Sequence, residues 1–294
     1  MQRYKIFFTL RYSLFTFFCI FAAVMEYTLN CNGHLLDLSE PQVMGILNAT
    51  PDSFYAASRK QTEESIAGRT HQILNEGAAI IDVGACSTRP DSESVGEEEE
   101  MARLRFALPI VRREAPHAVV SVDTFRPNVA RMVVEEYGVD LINDVGVSDE
   151  SQHAMFRMVS NLRVPYIYMS RKSTMKEVML DCAEAVDTLR SMGQKDIILD
   201  PGFGISFFGK TVAENYQIMG ELERMQALRL PVLVGISRKS MIWKQLCCTP
   251  DEALNGTTVL NTISLQKGAS ILRVHDVREA MECVKLVAQL NKLK

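Results

Sequence analysis

The sequence predicts one α/β domain, a (β/α)8 TIM-type barrel carrying an N-terminal β-hairpin. Three observations predict it. Eight short apolar runs alternate with eight helix-like segments, and strict alternation builds a parallel sheet that eight repeats can close. Nearly every run ends in a polar residue, where such a barrel carries its chemistry. No linker or break in composition divides residues 25–294, and 47% apolar content over 294 residues supports one large core. A doubly wound open sheet is the competing architecture, but no G-x-G-x-x-G follows the first run.

The elements follow in chain order. Residues 1–24 form a separate extension: Arg3, Lys5 and Arg11 precede an uncharged, Phe-rich stretch that resembles a signal peptide or short anchor. It is short for a membrane span, and folded sequence begins at once at Met25, which favours a misassigned start over export. From Glu26 the chain alternates as a strand, Asn32-Gly33 is a type I′ turn, and His34-Leu-Leu-Asp-Leu returns. The barrel strands are read at 43–47, 79–83, 119–122, 139–142, 165–169, 196–199, 232–236 and 270–274. The first is apolar throughout, as a strand buried on both faces must be, and is bounded by Pro41 and Thr50-Pro-Asp52. Helices are read at 62–75, 97–114, 127–137, 151–161, 175–192, 212–228, 250–267 and 278–290. Ser94-Val-Gly-Glu97 and Thr249-Pro-Asp-Glu252 read as capping boxes, the second with proline at the first helical position. The acidic run 97–100 reads as a first-turn set complementing the helix dipole rather than a metal site.

Composition excludes several functions. A net charge of -4 with dispersed Lys and Arg offers no surface for nucleic acid. Seven scattered cysteines without C-x-x-C spacing suit reduced thiols in a cytoplasm better than disulfides or zinc. His34, His71, His117 and His153 fall away from the strand ends and read as surface or packing residues. The fifteen methionines and Trp243 read as core.

The strand ends supply Asn48, Asp82, Asp123, Asn143 with Asp144, Asp200, Ser237 with Arg238 and Lys239, and Arg273 with His275. A single strand-end Asp is often only a helix cap or a satisfied turn. A whole ring is not explained that way. Asp123, Asn143 and Asp200 offer the acceptors that an aminopyrimidinone edge, rich in N–H donors, requires. Lys239 and Arg238 precede a helix start at Ser240, whose free N–H groups suit a carboxylate or phosphate. Arg89, Arg273 and His275 add donors for a diphosphate.

A series of strings resembles the dihydropteroate synthase family across residues 25–290, in the family's order. They are Asn48-Ala-Thr-Pro-Asp-Ser-Phe54, Asp82-Val-Gly with Ser87-Thr-Arg-Pro90, Ser121-Val-Asp-Thr124, Ile142-Asn-Asp144, Leu199-Asp-Pro-Gly-Phe-Gly204, Gly235-Ile-Ser-Arg-Lys-Ser240, Asn255-Gly-Thr257 and Arg273-Val-His-Asp276. The resemblance implies condensation of 6-hydroxymethyl-7,8-dihydropterin diphosphate with p-aminobenzoate, the step that sulfonamides inhibit. It implies catalysis by Asp123, Asp200 and Lys239, and a pterin held by Asp123, Asn143, Asp200 and Lys239. It further implies a diphosphate held by Asn48, Arg89, Arg273 and His275, with Mg2+ near Asn48. p-Aminobenzoate would be framed by Phe54, Thr88, Pro90, Phe203 and Ser240. The implied protein is a cytoplasmic homodimer without stable membrane association, pairing through helices 250–267 and 278–290.

Four departures stand out. Tyr55-Ala-Ala-Ser58 lacks the acid and glycines that many members carry in the first loop. Cys86 replaces a usual Glu before Ser87. Tyr168-Met169 replaces a usual His-Met, ahead of a shortened segment 170–175. Residues 205–208 lengthen the loop after Gly204, from which we expect stronger discrimination against sulfonamides. Two other functions compete: a pterin-binding methyltransferase barrel, which has no need of Ser237-Arg-Lys-Ser240 or Ser87-Thr-Arg-Pro90, and a catalytically impaired synthase homologue, which the intact ring argues against.

Overall fold

The computed structural model describes residues 27–49, 59–86, 95–146, 149–204 and 210–292. The extension 1–24, Ser94 and the departures at Tyr55–Ser58 and 205–208 lie outside the described residues. A hairpin comes first, β1 (Thr28–Cys31) and β2 (His34–Asp37), paired antiparallel from Thr28 opposite Asp37 to Cys31 opposite His34. Its turn residues Asn32 and Gly33 have φ of 52° and 89°, the two positive values that a type I′ turn demands.

The barrel then alternates β3 (Gln42–Asn48), α1 (Arg59–Asn75), β4 (Ile80–Gly84), α2 (Glu97–Glu114), β5 (Val119–Asp123), α3 (Pro127–Tyr137), β6 (Leu141–Asp144) and α4 (Asp149–Leu162). It continues with β7 (Tyr166–Met169), α5 (Met175–Ser191), β8 (Ile197–Asp200), α6 (Val212–Gly220), β9 (Leu233–Val234), α7 (Ser240–Leu246), α8 (Leu254–Gln266), β10 (Ile271–Val274) and α9 (Val277–Asn291). Every barrel pairing is parallel, in the order β8-β7-β6-β5-β4-β3-β10-β9. A parallel bridge from Leu199 to Val232, with Leu199 N–H donating to Pro231 O at 2.9 Å, closes the ring.

Strand alternation sorts the side chains. One residue near the start of each strand (Met44, Ile80, Val119, Leu141, Ile167, Ile198, Leu233, Ile271) joins Leu29, Cys31, Leu36 and Leu38 of the hairpin segment in one apolar cluster. The hairpin therefore stoppers the N-terminal mouth of the barrel. Two residues further along, the same inward phase reaches Asp82, Ser121, Asn143, Asp200 and Arg273 on five of the eight strands. The core is thus apolar below and polar above.

The structure corrects several boundaries. Helix 212–228 divides into α6 and a 3-10 helix, Leu222–Leu228, whose buried Leu222 and Met225 stack at the i, i+3 spacing that suits that geometry. Helix 250–267 starts only at Leu254. Glu252 does accept from the Thr249 N–H at 2.9 Å, but the turn there bonds three residues back, Glu252 N–H to Thr249 O, so it is a tight turn preceding α8. α2 is capped by Gly96 without a side-chain bond, and among the described residues Thr211 with Glu214 forms a capping box on α6. Within the acidic run, Glu100 is fully buried and ion-paired to Arg126, so it is not a solvated member of a dipole set.

Candidate active site

The second inward layer of the barrel is a connected network. Arg273 on β10 donates Nε–H to Asp82 Oδ2 and Nη2–H to Asp123 Oδ2, both at 2.6 Å. Asn143 on β6 donates its amide to the same Asp82 oxygen at 3.2 Å. Burial would lower the Arg273 value, but Asp82 and Asp123 outweigh it and hold the guanidinium above the ordinary arginine value. Burial, opposed in part by Arg273, pushes the Asp123 carboxyl well above the usual carboxylate range.

Asp200, at the end of β8, faces two lysines. Its Oδ1 accepts from the Gly202 N–H at 2.7 Å, which curls the chain back at a φ of +72°. Lys239, just before α7, donates to Phe203 O at 2.5 Å, and its stem crosses Gly204, where a Cβ would lie 3.2 Å from Lys239 Cδ. Burial lowers the Lys239 value to about 8, with Asp200 the leading group that sustains its charge. Lys210 is fully buried in a cage of carbonyls, Ser170 O at 3.3 Å, Pro201 O at 2.9 Å and Gly202 O at 2.7 Å, and burial lowers it also to about 8. Burial raises Asp200, against the pull of both lysines.

Asn48, at the end of β3, is exposed and its side chain makes no hydrogen bond to the described residues. With Ser65, Arg69 and His275 it lines a cavity of ≈ 350 Å³. His275 is fixed by Ser237, whose Oγ accepts from its backbone N–H at 3.1 Å and lies 3.2 Å from Nδ1. Arg69 on α1 ties the rim together, donating to Ile46 O at 3.1 Å and His275 O at 2.6 Å.

The structure therefore brings Asp123, Asn143, Asp200, Lys239 and Arg273 together inside the barrel, and Asn48 with His275 at its rim. Phe203 is buried beside Lys239, and Ser240 opens α7 next to it. Phe54, Thr88, Arg89 and Pro90 lie outside the described residues. Asp144 leaves the ring. The alternation that turns Asn143 inward turns Asp144 outward, where it accepts from Tyr166 OH at 2.6 Å and the Gly146 N–H at 2.7 Å. Arg238 is likewise committed elsewhere, donating through two nitrogens to Asp276 at 2.8 and 3.0 Å. Tyr168 also points outward, donating to Asp181 at 2.8 Å, so the His-to-Tyr departure falls away from the site. Cys86 sits near Glu100 and Arg126, and burial raises its thiol. Sequence reasoning missed Lys210 and Arg69. Both act by capping main-chain carbonyls, and residue type alone carries no mark of that.

Among known proteins, the family model for pterin binding enzymes matches residues 44–275. The chain is similar to a dihydropteroate synthase of Clostridium beijerinckii, 37% identical over 83% of this chain and 92% of that protein. One from Escherichia coli K12 is 36% identical, over 87% and 93%. Among solved structures, a Xanthomonas albilineans dihydropteroate synthase with 4-aminobenzoic acid superposes with TM-score 0.79 at 33% identity, covering 90% of this chain and 98% of that one. A Yersinia pestis dihydropteroate synthase in a sulfonamide drug complex gives TM-score 0.76 at 31% identity, covering 90% and 100%.

Proposed function

The chain belongs to the dihydropteroate synthase family of pterin-binding enzymes, and we propose that it joins 6-hydroxymethyl-7,8-dihydropterin diphosphate to p-aminobenzoate, giving 7,8-dihydropteroate and diphosphate. The observation that carries the proposal is the polar layer inside the barrel, where Asp123, Asn143 and Asp200 offer acceptors around the Lys239 ammonium. A flat heterocycle with several N–H donors and a ring carbonyl matches that set.

In this reading Asp123, Asn143 and Asp200 accept from the ring and Lys239 donates to it. The amine nitrogen attacks the pterin methylene carbon as the carbon–oxygen bond to diphosphate breaks, and the amine proton passes to solvent. Positive charge developing on the pterin is stabilised by Asp123 and Asp200, preorganised in a dry layer. Arg273, His275, Arg89 and Asn48 receive the diphosphate. Phe203, Ser240, Phe54, Thr88 and Pro90 frame p-aminobenzoate, and sulfonamides compete for that place.

Mg2+ fits as an ion carried by the diphosphate. The described residues hold no acidic or His/Cys cluster for a metal, but Asn48 presents an uncommitted amide oxygen, the kind of hard ligand that supplements substrate phosphates. When bound there, the ion would neutralise leaving-group charge. Unpaired cysteines support a cytoplasmic setting, and no helix among the described residues is long and apolar enough to cross a membrane. Exposed Val259 on α8 with Leu286 and Leu290 on α9 support a homodimer through those helices; a monomer in sedimentation at micromolar concentration would contradict it.

The function is tested by release of diphosphate from the pterin diphosphate with and without p-aminobenzoate. Release that requires p-aminobenzoate and matches dihydropteroate one to one is expected. Release indifferent to p-aminobenzoate, or none, would exclude the synthase.

A further inference from the structure

We infer that Asp82 is a positioning residue for the pterin end of the site, fixing from the barrel interior both the amide orientation of Asn143 and the fork of Arg273. The inference rests on the synthase reading and adds a residue to it.

Asp82 lies on β4 with no exposed surface. Its Oδ2 accepts from Arg273 Nε at 2.6 Å and from Asn143 Nδ2 at 3.2 Å. An ionised carboxylate can only accept, so the NH2 end of Asn143 must face it and the carbonyl oxygen is turned away. That leaves an acceptor for a heterocycle's N–H groups. The planar guanidinium of Arg273 is held in the same way: with Nε committed to Asp82, its fork swings Nη2 onto Asp123. One carboxylate thereby sets two groups that meet the substrate.

The arrangement is costly as packing. Among the described residues, Asp82 Oδ1 is buried without a hydrogen-bond partner, and so is Oγ of Ser121, the residue paired with Asp82 in the β4–β5 register. A fold seeking stability alone would place an apolar pair here, as it does one layer below. A buried carboxylate that is half satisfied, yet touches two site residues, points to function.

The test is D82N in the full chain. Asn keeps the shape and one acceptor but loses the charge that dictates both orientations. The kcat/KM for the pterin diphosphate is expected to fall about 10- to 100-fold while KM for p-aminobenzoate stays within about twofold. The acid limb of the pH profile is a second reading. Arg273, Asp82, Glu100 and Asp144 are the charges around Asp123, and Asp82 is among the carboxylates that raise it. Its neutralisation should move the limb to lower pH, which a purely structural role would not. S160A, which removes a buried hydroxyl that also lacks a partner among the described residues but lies on α4, outside the barrel interior, should leave both readings unchanged. If D82N does not fold, D82S takes its place with the same readings. A folded Asp82 variant with unchanged kcat/KM and an unmoved limb would overturn the inference, as would equal losses in S160A. Wild-type diphosphate release is measured first. If it fails, the synthase reading fails separately, and calorimetric binding of 6-hydroxymethylpterin to wild type and D82N still reads the role of Asp82.

Discussion

Replacing Asp200 by Asn is expected to lower kcat/KM by about 100-fold or more and to shift the basic limb of its pH profile downward. Asp200 is the leading group that keeps Lys239 and Lys210 charged against their burial, which already brings both lysines to about 8. The sign follows from which form works. Lys239 acts as its ammonium, so wild-type activity should fall as pH rises through about 8. Asp123 acts as its carboxylate, and because burial raises it, activity should fall on the acid side well above the usual carboxylate range. Kinetics of kcat/KM report these groups in the free enzyme. With Asn at 200, only the weaker pull of Asp123 is left to offset the desolvation of Lys239, and Arg273 opposes it, so the lysine loses its proton at lower pH. An unmoved basic limb would show that Asp200 does not sustain the Lys239 charge.

Replacing Gly202 by Ala is expected to destabilise the fold by about 3 kcal/mol and to lower the thermal midpoint by roughly 5 to 10 °C. Gly202 has a φ of +72°, and an added Cβ would lie 2.1 Å from the Ser170 carbonyl oxygen, a backbone atom that cannot rotate away. The same residue donates to Asp200 and accepts from Lys210, both at 2.7 Å, so the displaced loop carries the site with it. Gly193→Ala is the control. It has a similar φ, +89°, but nothing within 4 Å of the added carbon, and should cost only about 1 kcal/mol. Equal losses in the two variants would show that φ alone, and not the close approach to Ser170, governs Gly202.

The barrel was legible because period-2 and helical patterning are local, and strand-end polarity marks the active face. Asn32-Gly33 likewise announced its turn through the φ each residue tolerates. What stayed hidden depends on direction and on distant partners. Adjacent Asn143 and Asp144 look alike in sequence, yet the pleat sends one inward and the other to Tyr166. Arg238 and Lys239 look like one cationic pair, but Asp276 and the Phe203 carbonyl separate them. Glu100 reads as one more helix-start acid until Arg126, 26 residues on, is seen to bury it. Asp82 is the sharpest case. Its strand-end position was plain, while its hold on Asn143 and on Arg273, 191 residues away, needed the closed barrel.

The pterin is expected to bind among Asp123, Asn143 and Asp200 of the inward polar layer. A crystal structure of the protein with 6-hydroxymethylpterin tests it most directly. The ring should lie inside the barrel mouth, its N–H edge within hydrogen-bond distance of Asp123, Asn143 and Asp200, with Lys239 donating to it. A ring seated instead in the rim cavity of Asn48, Arg69 and His275, with the inner layer untouched, would contradict the account.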